Sequence, residues 1–66
     1  MNIDKLKGKF VENGLNVDKV AERLGISRDT LYRRLNNSDS FTIGEAAKLK
    51  DVLGLSNKEA TEIFLP

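Results

Sequence analysis

The side chains able to do chemistry in this chain are few in kind. None of its 66 residues is Cys or His, which removes thiol nucleophiles, disulfides, thiolate metal sites and the commonest imidazole base and ligand. Ser-His-Asp catalysis and zinc fingers are excluded. The ten carboxylates fall on predicted solvent faces and the glycines punctuate helices without forming a phosphate-cradling loop, so no enzyme, metal or cofactor is expected. What remains concentrated is cationic: Arg28, Arg33 and Arg34 with Asp29 and Tyr32 in the run RDTLYRRL. Residues 1–38 hold eight Lys/Arg and five Asp/Glu, net +3, and residues 39–66 hold three and five, net −2, which sums to the overall +1. An anionic partner therefore belongs to the first half. Eleven bases among ten acids is also what an ordinary solvated surface carries, so the pattern of residues must decide.

Those arginines need elements to position them, and capping signals mark the elements out. Ile3, Leu6, Phe10 and Val11 follow a helical apolar spacing, ended by Gly14 and Leu15, which predicts a first helix over roughly 3–13. Asn16 caps a second helix, with Asp18 favourably placed at its positive end and Val17, Val20, Ala21 and Leu24 as its apolar face, until Gly25. Ser27 caps a third, carrying the pair Leu31 and Leu35. A polar loop of Asn36, Asn37, Ser38, Asp39 and Ser40 follows. Thr42 with Glu45 and Ser56 with Glu59 are two S/T-x-x-E capping boxes. The first opens a helix with Ile43, Ala46, Ala47, Leu49, Val52 and Leu53 largely core-side, and the second opens a short last helix with Ala60, Ile63 and Phe64. Lys5, Lys7 and Lys9 alternate along helix 1 and read as a solvated face.

Five short helices without a strand predict an all-α, compact fold. A chain of 7.4 kDa has room for one hydrophobic core, so residues 1–66 are expected to form a single domain with no separate effector domain. At 39% hydrophobic and 32% charged it is too apolar for a disordered tail, and it lacks the roughly 20-residue apolar run that spans a bilayer. No secretory leader is visible in MNIDKLKGKF, and a cytoplasmic location is the expectation.

The stretch NVDKVAERLGISRDTLYRRL, residues 16–35, constrains geometry most. The connector Gly25-Ile26-Ser27 is too short for two helices to lie flat and antiparallel, which favours the steep crossing of a helix-turn-helix. Ala21 is small where the two helices meet. Gly25 supplies a left-handed turn, Ile26 plugs the core beneath it, and Leu31 anchors the second helix to the first. The series Ala21, three residues, Gly25, Ile26-Ser27-Arg28, then Thr30-Leu31 resembles the helix-turn-helix of lambdoid phage repressor and Cro proteins, and the five-helix layout resembles that family from end to end. The tail DVLGLSNKEATEIFLP resembles small Cro-like phage regulators. Two positions depart from the pattern: Val17 stands where Gln is common, and Arg34 stands where an apolar residue is expected, with Leu35 one position later.

The resemblance implies a lambda-repressor-like, sequence-specific DNA-binding transcriptional regulator in a bacterial or phage-infected cell. The segment 27–36 would be its recognition helix, lying in the major groove of double-stranded DNA. Stepping about 100° per residue from Leu31 puts Asp29 and Arg33 nearly opposite the core, with Tyr32 and Asn36 on the flank. Arg33 and Arg28 suit bidentate donation to guanine O6 and N7. Asp29 suits either cytosine N4 or an intrahelical pair with Arg33. Tyr32 suits a thymine methyl, a phosphate or ordinary packing. Ser27 caps the helix and, in the resembled family, also touches DNA. Arg34 suits a phosphate or a surface salt bridge, and Asn16, Asn36, Asn37, Ser38 and Ser40 suit phosphate positioning or turn chemistry. One recognition helix reads about four or five base pairs, so a homodimer on a palindromic operator is expected, weak or monomeric when free. The tail Ile63, Phe64, Leu65 and the loop from Ser38 to Phe41 are the candidate dimer contacts, against a tail folded back on its own core. The alternative function is a small helical protein-binding module such as an antirepressor.

Overall fold

Among the described residues, three helices end in the same way. Gly14, Gly25 and Gly54 have φ of 66°, 72° and 64°. In each case the apolar residue after the glycine donates its N–H back to a carbonyl five positions earlier: Leu15 to Phe10 at 2.9 Å, Ile26 to Ala21 at 3.1 Å and Leu55 to Lys50 at 2.9 Å. This is the double-bonded helix stop in which the last carbonyls are satisfied while an apolar side chain is turned inward. The computed structural model describes residues 1–36 and 41–65. Among the described residues the order is α1 (Ile3–Glu12), α2 (Val17–Leu24), α3 (Arg28–Asn36), α4 (Ile43–Leu53) and α5 (Asn57–Phe64), with no strand.

Helix starts are capped by short polar side chains, three of them as expected at Asn16, Thr42 and Ser56 and a further one at Asn2. Asn16 Oδ1 accepts from the Lys19 N–H at 2.9 Å, and Asn2 does the same for Lys5 at 3.1 Å. Thr42 with Glu45, and Ser56 with Glu59, close both reciprocal bonds of a capping box. Asn13 was not among the sequence expectations. Its Nδ2 donates to the Leu53 carbonyl at 3.2 Å, tying the end of α1 to the end of α4.

The core collects Leu6 and Phe10 from α1, Val20, Ala21 and Leu24 from α2, Leu31 and Leu35 from α3, Leu49 and Leu53 from α4, then Leu55 and Ile63. Three expected core positions are exposed instead. Val11 is 77% exposed and Ile43 92% exposed, and Ala47 is also exposed. Val11 follows Phe10 by about 100° of helix rotation, so once Phe10 and Leu6 face inward Val11 must turn out. Ile43 and Ala47 stand about 120° and about 160° around α4 from the fully buried Leu49.

The lysines of α1 also depart from the solvated face expected of them. Lys5 pairs with Glu62 and Lys9 with Glu59, clasping α1 to α5, while Lys7 stays exposed. Lys9 also meets Glu12 at 3.0 Å. The hydrogen bond from Lys9, then the backbone bond at Ser56, holds the Glu59 carboxyl down to about 2. Glu62 is lowered through its bond from Lys5, and Lys9 is raised by its bonds to Glu59 and Glu12. The Asn2 N–H donates to the Ile63 carbonyl at 2.7 Å, so the two ends of the chain meet. No helix among the described residues is long and apolar enough to cross a membrane.

Candidate nucleic-acid interface

Helix α3 owes its position to four residues. Ala21 is 2% exposed and Leu31 fully buried, which brings α2 and α3 into contact through a small residue on one side and a branched one on the other. Gly25 takes the left-handed turn, and Ile26 is half-buried against the core. Ser27 Oγ then accepts the Thr30 N–H at 3.1 Å and shares a 2.8 Å bond with the Thr30 hydroxyl, so the cap expected at Ser27 is present. With Leu31 and Leu35 turned inward, Arg28, Asp29, Tyr32, Arg33 and Asn36 all stand exposed.

The partners of these residues differ in part from the expected ones. Arg28 reaches across the motif: its Nε lies 3.0 Å from Asp18 Oδ1 in the first turn of α2. Its guanidinium stacks on the Tyr32 ring at 5.1 Å from the centroid, with Nη2 3.5 Å from the Tyr32 hydroxyl. The hydrogen bond to Tyr32 and then the charge of Asp18 raise an already high pKa, so Arg28 is a cation at any working pH. Arg33 is oriented by Thr30, Nη2 to Oγ1 at 3.4 Å. The intrahelical pair weighed for Asp29 and Arg33 is not among the ion pairs of the described residues, which leaves the Asp29 carboxylate exposed on the outer face.

Arg34 takes the salt-bridge option. Its Nη2 lies 3.3 Å from Glu45 Oε2, with the side chains 24% and 13% exposed, so it ties α3 to α4 where the resembled family has an apolar residue. Glu45 thereby closes a capping box and an interhelical pair at once. Asn16, Tyr32 and Asn36 come together on one cleft between α1, the start of α2 and the end of α3, floored by Phe10 and Leu35 and walled by Val11 and Val17. Asn37, Ser38 and Ser40 lie outside the described residues.

Two partners in this region escaped sequence reasoning. Asp18 was legible as a favourable helix-start charge, but its reach to Arg28 depends on how α2 and α3 cross, and no fixed spacing encodes that. Thr30 carried a signal that was available: it follows the cap Ser27 by three residues and precedes Arg33 by three, so one turn of helix brings it beside both.

The family described as "Bacterial regulatory protein, Fis family" matches residues 12–37, from the last residue of α1 through all of α2, the turn and α3. No curated protein and no solved structure matches the chain. The match spans 26 of the 66 residues and supports a helix-turn-helix of DNA-binding transcriptional regulators in general, formed here by α2 and α3. It does not reach the lambdoid group in particular.

Proposed function

We propose that this chain is a sequence-specific, double-stranded-DNA-binding transcriptional regulator of Cro-like layout that lays α3 in the major groove of a palindromic operator. The observation that carries the reading is the outer face of α3, where Arg28, Asp29, Tyr32 and Arg33 stand exposed while Leu31 and Leu35 lock the helix to the core. A nine-residue helix is about 13 Å long and enters a groove about 12 Å wide. Arg33 and Arg28 present forked donors to guanine O6 and N7, Asp29 an acceptor for cytosine N4, and Tyr32 an edge for a thymine methyl. Asn16, Ser27, Arg34 and Asn36, with Asn37 and Ser38 beyond the described residues, take the phosphates at the groove walls. Arg34 does so while its other side stays on Glu45.

The same reading requires two copies, because a helix of this length covers about four base pairs and half-sites lie about 34 to 36 Å apart. Ile63 is fully buried, and Phe64 packs edge-on against Phe41, centroids 6.3 Å apart and planes at 85°. The tail thus folds back on its own core as far as Phe64. What stays outward at that end is Ile43, 92% exposed, and Leu65, 76% exposed, beside a groove that both line with Met1, Ile3, Phe41 and Phe64. Two such ends meeting across a two-fold axis make a small, weak contact that forms on DNA. Gel shift on random duplex at two salt concentrations, followed by selection from a random library, tests the function. The expected result is binding that weakens as salt rises and a selected inverted repeat. No duplex binding at low salt would refute the reading and leave a protein-binding module.

A further inference from the structure

Arg28 is gripped from two helices at once, and this bears on how a base is chosen. We propose that Asp18 is a specificity-determining positioning residue: by holding Arg28 Nε from α2, it aims the terminal Nη edge of the guanidinium at a guanine in the groove. The proposal rests on α3 being the recognition helix. A guanidinium has two edges able to meet the paired acceptors of guanine, the Nε–Nη side and the Nη1–Nη2 end. Asp18 Oδ1, 3.0 Å from Nε, closes the side edge. The Tyr32 ring, 5.1 Å from the guanidinium carbon, covers one flat face. The 3.5 Å approach of Nη2 to the Tyr32 hydroxyl is at the outer limit of a hydrogen bond and yields to a better acceptor. The end edge and the other face are left for DNA, with the side chains of Arg28 and Asp18 60% and 63% exposed.

Affinity does not explain a carboxylate at this place. Beside a phosphate backbone a negative charge weakens binding to every sequence alike, so beyond its favourable place at the start of α2 what Asp18 contributes to DNA binding is discrimination. The two effects have opposite signs, and that separates a positioning role from a merely structural one.

The test compares the parent with Asp18→Ala, Asp18→Asn, Arg28→Ala and the double variant Asp18→Ala/Arg28→Ala. Each is titrated on the selected duplex, on its three single-base variants at the position where Arg28→Ala relaxes preference, and on random duplex. Asp18→Ala is expected to lose about three- to tenfold in discrimination at that position while binding random duplex as well as the parent or better. Asp18→Asn, whose amide oxygen still accepts from Nε, keeps most of the discrimination, and Asp18→Ala changes nothing further once Arg28 is Ala. In the free protein the Arg28 Nε–H exchanges faster with water in Asp18→Ala than in the parent. Parental discrimination in Asp18→Ala, or an equal loss with and without Arg28, would overturn the proposal while α3 remains the reading helix. A parent that binds duplex without sequence preference would remove the α3 reading itself and this proposal with it.

Discussion

At the scale of single residues, the face of α3 divides by partner. Arg33 leans on Thr30 at 3.4 Å, a neutral neighbour, so its charge is uncommitted to any carboxylate in the grip described for it. Arg33→Ala should therefore cost about 1 to 3 kcal/mol on the selected site and relax preference at one base pair, with random duplex much less affected. Parallel titrations on cognate and random duplex check it. Arg34 is committed to Glu45, which is only 13% exposed, so removing the arginine leaves a largely buried carboxylate without its cation. Glu45→Ala loses this pair and a capping box together and should lower stability by about 1 to 2 kcal/mol, measured by denaturant melts. Local roles such as the Ser27 and Asn16 caps were legible, because a cap and its target are three residues apart. The partners of Arg28 and Arg34 were not, because Asp18 and Glu45 sit ten and eleven positions away and only the packing of α2, α3 and α4 brings them in.

At the scale of elements, the turn between α2 and α3 is the part on which the interface depends. Gly25 has φ of 72° with nothing within 4 Å of where a Cβ would stand, so the penalty for a side chain there comes from the backbone alone. Gly25→Val puts a β-branched residue in the left-handed region, and Ala21→Leu overfills a contact that is 2% exposed. Each should destabilise the fold by about 1 to 3 kcal/mol and lose DNA binding with it, as seen in paired melts and gel shifts. Ile43→Asp is the contrasting case. At 92% exposure in the first turn of α4 it should move stability by no more than about 0.5 kcal/mol, yet weaken the cooperative binding of two copies to one palindromic site. The starts of α2, α3, α4 and α5 were readable from caps, and the stops of α1, α2 and α4 from glycines. Val11, Ile43 and Ala47 were misplaced because an apolar residue type marks a possible core position, and only helix phase, set by which neighbours are fully buried, decides which of them turns inward.

At the scale of the whole molecule, a core this small rarely supplies more than about 3 to 5 kcal/mol, so ties between its two ends matter. α1 and α5 are joined by Lys5 with Glu62 and Lys9 with Glu59, and the Glu59 carboxyl is held at about 2 against an ordinary 4.5. A carboxyl lowered on folding stabilises fully above its unfolded value, and that contribution disappears as pH falls from about 4.5 through about 2. Glu62, lowered by Lys5, acts with the same sign. The melting temperature of the parent should therefore drop over this window more steeply than that of Glu59→Gln, whose side chain does not titrate. Parallel slopes from pH 6 to 2.5 would show that the Lys9–Glu59 pair does not form in solution.

If α3 reads bases from the major groove, methylation at guanine N7 of the selected operator must interfere with binding, because that atom faces only this groove. N7 methylation at one or two guanines in each half-site should abolish binding by the parent, and Arg33→Ala should become indifferent to one of them. Binding that tolerates methylation at every guanine N7 of the site would contradict base reading by α3.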